Sequence, residues 1–222
     1  MTRRLAALTL DNLGDLPESC RSCGFWELDP VRRERASRSQ ETCREKEAWA
    51  SRVLLEWGSC GWMAYVDGDP AGYVLYAPPS FVPGADSFPT APASEDAVLL
   101  MTAMIYPEYA EAGLGRMLLQ AVAKDLLKRG GIRAIEAFGD VRARREGFGG
   151  CVLPAEFLLR VGFKTHRAHA RYPRMRLELK SVLTWREEVE SALEKLIGVV
   201  RRPQPVRPAA ERGHREQHPP LR

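Results

Sequence analysis

Ala97-Val-Leu-Leu-Met-Thr-Ala-Met-Ile105-Tyr-Pro-Glu-Tyr109-Ala-Glu-Ala-Gly113-Leu-Gly115-Arg-Met-Leu-Leu-Gln-Ala-Val-Ala-Lys124-Asp-Leu-Leu-Lys128-Arg-Gly-Gly131 reads as a buried strand, a glycine turn and a helix. A run of apolar or near-apolar residues over 97–105 suits a strand covered on both faces. Pro107 stops the ladder from simply running on. Gly113 and Gly115 let the backbone turn sharply and approach something closely. Arg116, Gln120, Lys124 and Lys128 then fall on one stripe of a helix that is otherwise largely apolar. Gly130 ends it. A glycine turn feeding a helix start offers free N–H groups and the positive end of the helix dipole, which is a place for a phosphate. On its own, the glycine pair also fits a plain strand-to-helix turn.

Working outward, 132–138 is expected to be a short strand, parallel to 97–105 with the helix as crossover. An Arg- and Gly-rich loop over 139–150 follows. A short helix over 154–161 has Pro154 in its first turn and Gly162 at its C-cap. Segments 163–169 and 175–179 read as strands. Thr184-Trp185-Arg186-Glu187 is a capping box, opening a helix with Trp185, Val189, Leu193 and Ile197 on one face. Upstream, 62–66 and 71–76 flank Asp67-Gly68 as a hairpin. The aperiodic 78–96 is a loop. Segment 30–57 is charged and helical, with Trp49, Val53, Leu54 and Trp57 as its packing face. Residues 5–10 suit a first strand, and Cys20-Arg-Ser-Cys23-Gly-Phe25-Trp26-Glu27 is a cluster of thiols and aromatics.

Composition narrows the function classes. The chain has 222 residues and a net charge of +4. The tail 201–222 holds six arginines against two glutamates and so carries all of that charge. The folded part is therefore not read as a nucleic-acid binder. No apolar run approaches the ~20 residues of a membrane span. The N-terminus lacks a signal-peptide pattern, and a cytoplasmic location is expected. Five cysteines, Cys20, Cys23, Cys43, Cys60 and Cys151, are then expected as free thiols.

With these elements in order, two segments resemble the GNAT superfamily of acetyl-CoA-dependent N-acetyltransferases. Tyr106-Pro-Glu-Tyr109-Ala-Glu-Ala-Gly113-Leu-Gly115 resembles its cofactor signature, (Gln/Arg)-x-x-Gly-x-(Gly/Ala). Ala155-Glu-Phe-Leu158-Leu-Arg-Val-Gly162-Phe163 resembles its short helix ending in Gly-Phe. The resemblance implies an α/β fold with a mixed, mostly antiparallel sheet. That sheet would splay at a central parallel strand pair and be flanked by helices. It implies acetyl-CoA as co-substrate. The backbone of Ala103, Met104 and Ile105 would pair with the pantetheine arm. The turn of Ala110, Glu111, Ala112, Gly113, Leu114, Gly115 and Arg116 would hold the pyrophosphate. Arg116 or the arginines of 142–145 would screen remaining charge. The reaction implied is transfer of acetyl from acetyl-CoA to a primary amine of a small-molecule or protein acceptor, by direct attack. The expected organisation is an acceptor-side part over 1–57, a cofactor-binding core over 58–182, an amphipathic helix over 183–198 and a disordered basic tail over 199–222. A monomer or homodimer fits, with no metal.

Three departures from the family pattern stand out. The signature begins with Ala110 instead of Gln or Arg, and Leu158 occupies the position where the family often has a proton-donating Tyr. The strand 97–105 also carries no carboxylate. A non-catalytic acyl-CoA sensor or partner-binding module therefore stands as the second class. Glu136 is a candidate general base or a salt-bridged acid. Cys151 is a candidate proton donor or reactive thiol, or a buried structural cysteine. Cys20 and Cys23 are half of a zinc site, a redox pair, or thiols packed beside Phe25 and Trp26.

Overall fold

The computed structural model describes residues 1–110, 112–143 and 151–182. The chain divides into two units, Met1–Thr184 and Trp185–Arg222. The expected helix after the capping box and the basic tail lie outside the described residues.

The first unit is built on one sheet. Its strands are β1 (Arg3–Ala7), β2 (Gly61–Val66), β3 (Asp69–Ala77), β4 (Ala97–Ile105), β5 (Ala134–Asp140), β6 (Leu153–Pro154), β7 (Lys164–Arg167) and β8 (Arg174–Glu178). They lie in the order β1-β2-β3-β4-β5-β8-β7, with β6 attached to β5. The pairs β4–β5 and β5–β6 are parallel, and the rest are antiparallel. This is the expected mixed, mostly antiparallel sheet. Asp67 (φ 51°) and Gly68 (φ 102°) form the two-residue turn between β2 and β3, as the Asp-Gly pair predicts.

Helices cover both faces. They are α1 (Glu18–Arg21), α2 (Pro30–Ser39), α3 (Thr42–Glu56), α4 (Leu114–Arg129) and α5 (Ala155–Arg160). Helix α4 packs across β2, β3 and β4. There Tyr76 donates to Asp125 at 2.7 Å. On the other face, Trp49 and Val53 of α3 join Met63, Tyr65, Tyr73 and Leu75 in the main core cluster. The helical stretch over 30–57 is two helices, because Gln40 adopts a left-handed conformation (φ 59°) and caps α2. Strand β5 starts two residues later than expected. Gly130 and Gly131, both at positive φ, make the turn, and Arg133 N–H is bound to Asp96 O instead of a ladder partner. The first strand is earlier than expected, at Arg3–Ala7, and Pro154 caps α5 instead of entering it.

Two features of β4 shape the cleft beside it. The strand pairs with β5 only at Ala97, Val98 and Leu99. Opposite Leu75 and Tyr76 its register slips, so that Leu100 and Thr102 face consecutive β3 residues. Such a bulge re-phases the side chains beyond it. Leu99 and Met101 before it and Met104 after it accordingly all pack against the same core cluster.

The N-terminal segment is fixed to this core by one charge pair. Lys46 of α3 bonds Glu27 Oε1, and the two side chains are 3% and 1% exposed. Glu27 Oε2 is buried without a hydrogen-bond partner. Removing one member of such a pair leaves a charge in the core. Lys46→Met alone is expected to destabilise the protein by about 3–5 kcal/mol in urea unfolding, whereas Glu27→Leu combined with Lys46→Met restores most of that loss. Equal stability of the two variants would mean that the uncompensated charge is not what matters.

Candidate functional site

The site begins at the edge of β4. Tyr106 N–H donates to Ala71 O on β3. By the period-two alternation of a strand, the N–H and C=O of Ala103 and Ile105 therefore point away from β3. On that side β5 has already diverged, and among the described strands none is paired with them, although β6 lies close to β4. The splay leaves a short run of backbone donors and acceptors facing a cleft. Buried polar backbone groups require partners, and an extended ligand arm with amide groups can supply them.

The glycine turn closes one end of this cleft. Pro107–Tyr109 makes a single 3-10 turn. Gly113 sits at φ 70° and ψ 8° as the N-cap of α4, and no side chain caps the helix. Among the described residues no side chain accepts at this N-cap, so the helix start is formed by main chain around Gly113. A Cβ on Gly115 would come no closer than 3.9 Å to Ile105, so its neighbours leave it open on that side. Ala110 ends the 3-10 turn and Ala112 N–H is bound to Tyr109 O. Glu111, Arg144 and Arg145 lie outside the described residues. Arg142 is exposed. The sequence reading missed Arg3. From β1 its guanidinium reaches the turn, donating to Ala112 O at 2.8 Å and standing 3.8 Å from where a Gly113 side chain would begin. It adds a positive charge to the helix start, and its distance in sequence hid it.

At the other end, a cavity of about 120 Å³ is lined by Thr102, Ala103 and Met104 of β4 and by Cys20, Cys23, Trp26, Lys46, Tyr73 and Cys151. Three cysteines meet here, Cys151 coming from far along the chain to join Cys20 and Cys23. Cys23 Sγ lies 2.8 Å from Cys151 Sγ. Trp26 Nε1 donates to Cys151 O at 2.7 Å and fixes that approach. Trp26 itself is stacked on Phe88, and Phe88 on Phe138 of β5 at 4.4 Å between centroids. The hydrogen bond from Cys151 draws the Cys23 thiol down to about 7, against the opposing effect of burial. The same contact, together with burial, pushes Cys151 up. The two thiols are thus shifted in opposite directions by their contact. Burial also pushes up Cys20 and the Tyr73 phenol, so both stay protonated near neutral pH. Burial disfavours the Lys46 ammonium, but Glu27 beside it outweighs this and raises its pKa. The Cys-x-x-Cys spacing flagged Cys20 and Cys23, but the partner of Cys23 is Cys151. No group of three or more His, Cys, Asp or Glu residues among those described is arranged to hold a metal.

A second cavity of about 430 Å³ adjoins the first through Cys151. Phe25, Phe88 and Tyr172 line it, with Asp140 and Arg171. Glu136 belongs to neither cavity. It is fully buried and both its oxygens are engaged. Oε1 accepts from Ser94 Oγ at 2.7 Å and Arg176 at 3.2 Å. Oε2 accepts from Ser94 N–H at 3.0 Å and Arg174 at 3.1 Å. The carboxylate ties the end of loop 78–96 to β8. Leu158 of α5 is fully buried and apolar.

Solved structures share this architecture. An N-acetyltransferase called PaiA from Thermoplasma acidophilum, in complex with coenzyme A, is 17% identical, with a TM-score of 0.52 over 80% of this chain and 99% of that one. An N-acetyltransferase from Staphylococcus aureus Mu50 is 13% identical, with a TM-score of 0.52 over 81% and 99%. The aminoglycoside acetyltransferase AAC(6′)-Ib with coenzyme A is 12% identical, with a TM-score of 0.50 over 83% and 99%. At such identities the likeness is one of fold. No curated protein matches the sequence. The family model described as acetyltransferase (GNAT) family matches residues 24–146, more than half of the chain. The chain belongs to that family.

The Cys23–Cys151 contact makes a direct prediction. Modification of Cys23 by iodoacetamide should rise with pH about a midpoint near 7, because the thiolate is the reactive form and populates above its pKa. In Cys151→Ser the midpoint should move up toward 9.0, the ordinary thiol value. An unshifted wild-type midpoint would show that this contact does not lower the Cys23 thiol.

Proposed function

We propose that this protein transfers an acetyl group from acetyl-CoA to a primary amine of a small-molecule or protein acceptor. The observation that carries the reading is the open β4 edge leading into an uncapped helix start. Ala103, Met104 and Ile105 face one side of the cleft, and no described strand pairs with 103 and 105 on that side. Ala110 ends the 3-10 turn and Ala112 to Arg116 lead through Gly113 into α4 at its end. These residues fit a ligand with an amide-bearing arm and a pyrophosphate: backbone groups for the arm, and N–H groups, helix dipole and the Arg3 guanidinium for the phosphates. The part over 1–57, with Phe25 and Trp26, then stands on the acceptor side of the core over 58–182. The aromatic walls and Asp140 of the larger cavity suit a cationic amine with an apolar body.

In the route the family resemblance implies, the amine loses its proton and attacks the thioester carbonyl with both substrates bound. Holding the two reactants in register supplies much of the rate. The β4 strand offers no carboxylate for the amine proton, and buried Leu158 offers no proton for the departing thiolate. That apolar residue favours the second reading, an acyl-CoA sensor without turnover.

Calorimetry with acetyl-CoA should give saturable binding in the wild type. Gly113→Glu should abolish it, since a carboxylate would stand where the phosphates are held and the φ of 70° disfavours any side chain. Arg3→Gln should weaken binding roughly tenfold, the worth of one charge-assisted hydrogen bond. Affinity unchanged in both would remove the phosphate assignment. An amine panel with free-thiol detection separates the readings: acceptor-dependent CoA release supports the transferase, and binding without release supports the sensor.

A further inference from the structure

The Cys-x-x-Cys spacing offers Cys20 as the redox partner of Cys23, and the fold takes Cys23 elsewhere. We propose that Cys23 and Cys151 form a reversible intrachain disulfide when the protein meets a peroxide, and that this bond locks the segment after α1 to the segment before β6. The inference stands apart from the acetyl-CoA reading, since it needs no ligand.

Geometry argues first. The two sulfurs are 2.8 Å apart. Closing that gap to a bond asks for less than about 1 Å of movement. Both sides of the contact are held. Trp26, three residues after Cys23, is buried, and its Nε1 donates to Cys151 O at 2.7 Å. Its ring stacks on Phe88, and Phe88 stacks on Phe138 of β5. On the far side, Leu153 and Pro154 of β6 pair with Gly139 and Asp140 of β5 two residues after Cys151.

Selectivity argues next. Cys20 is buried, with its thiol 3.9 Å from Lys46 Nζ and hydrogen-bonded to the Tyr73 phenol. Cys60 is buried too, and burial pushes it up to about 12. Cys43 is exposed on α3. Cys23 and Cys151 are the two half-buried cysteines. Cys23 lines the cavity of about 120 Å³, and Cys151 lines both that one and the neighbour of about 430 Å³. Either has room for a peroxide, a molecule little larger than water.

Reactivity agrees with this placement. The contact draws Cys23 down to about 7 against the effect of burial and pushes Cys151 up. Loss of one proton from the pair leaves one thiolate hydrogen-bonded by one thiol, whichever sulfur keeps the proton. A thiolate beside a second thiol is the arrangement that traps a sulfenic acid as a disulfide.

The reaction balances with hydrogen peroxide as the oxidant. The thiolate of the pair attacks one peroxide oxygen, and the O–O bond breaks. The sulfur becomes a sulfenic acid, and the departing hydroxide takes up the proton the pair had lost, as water. The second sulfur then attacks the sulfenic sulfur. The S–O bond breaks, and the hydroxyl leaves as a second water with the second thiol's proton. Two thiols and one peroxide thus become one disulfide and two waters. A dithiol reductant restores both thiols by exchange and is itself oxidised to a disulfide.

The test uses the full chain, reduced beforehand and then treated with hydrogen peroxide. Intact mass should fall by that of two hydrogens, and a non-reducing digest should join the Cys23 peptide to the Cys151 peptide. Dithiothreitol should reverse both. The thermal midpoint of the oxidised protein should rise by roughly 5–15 °C, as expected of a cross-link closing a long loop. Cys20→Ser should cross-link as the wild type does. Cys23→Ser and Cys151→Ser should keep the far-UV circular dichroism of the wild type, form no intrachain bond and show no rise in midpoint. A bond between Cys20 and Cys23 overturns the assignment. So do chains linked through Cys43 as the main product, a sulfinic acid on Cys23 with Cys151 still free, or a wild type whose cysteines all remain open to alkylation after peroxide. A further arm adds saturating acetyl-CoA, whose thioester end would share the small cavity with both sulfurs and should slow the cross-link. An unslowed cross-link with calorimetric binding intact upholds the disulfide and removes only that placement of the thioester.

Discussion

The constraint on which the rest of this fold depends is the parting of β4 and β5 after three paired residues. A parallel pair at the centre of a sheet ordinarily satisfies every backbone group along both strands. Here β5 leaves β4 at Leu99 and takes other neighbours, β8 on one side and β6 beyond Gly139. From Leu100 onward no described strand is paired with that side of β4, and only β6 comes near it. The bulge opposite Leu75 and Tyr76 falls where the pairing ends, and it keeps Met101 and Met104 in the same apolar layer. The edge therefore stays packed beneath while no described strand is paired beside it.

Buried charges hold the walls of that opening in place. Glu136, between Arg174 and Arg176, receives the backbone and hydroxyl of Ser94 and so pins loop 78–96 to the distal half of the sheet. Arg174 also bonds Pro92 O, and Arg167 bonds Ala91 O at 3.0 Å. Glu27 and Lys46 do the same for the N-terminal segment against α3. Ions so deeply buried add little net stability, because desolvation consumes most of their attraction. Their geometry is specific, however, and it fixes where Phe88 stacks between Trp26 and Phe138. That stack, in turn, sets the distance from Cys23 to Cys151. The acid that looked in sequence like a candidate base is thus occupied in positioning the loop beside the site.

Legibility follows from range. The strand over 97–105, the Asp-Gly hairpin, the glycine N-cap of α4 and the Gly162 turn after α5 are each dictated within a few residues, and each could be read. An unbroken apolar run, a left-handed glycine and a period of 3.6 are local signals. The boundary of β5 was misplaced because Arg133 N–H is held by Asp96 O, a residue distant in the chain that precedes the neighbouring strand. The break at Gln40 was missed because a non-glycine residue took the left-handed conformation. In the candidate site, the glycine turn at Gly113 and Gly115 was visible as a motif. Arg3 was not, since nothing near Arg3 in the chain indicates that β1 ends beside the turn.

The chain's own local chemistry is therefore enough to specify that it makes a splayed α/β fold with a glycine turn at a helix start. Those features rest on backbone stereochemistry and side-chain period, which act between neighbours. What lies in the cavity is a matter of folding at a distance. Cys23 and Cys151 are 128 residues apart, and they meet through a tryptophan hydrogen bond and a three-ring stack contributed by separate segments. The charge on a thiol is set by what surrounds it in space, so five cysteines that read alike along the chain come to include one sulfur held near 7 only once the chain has closed around them.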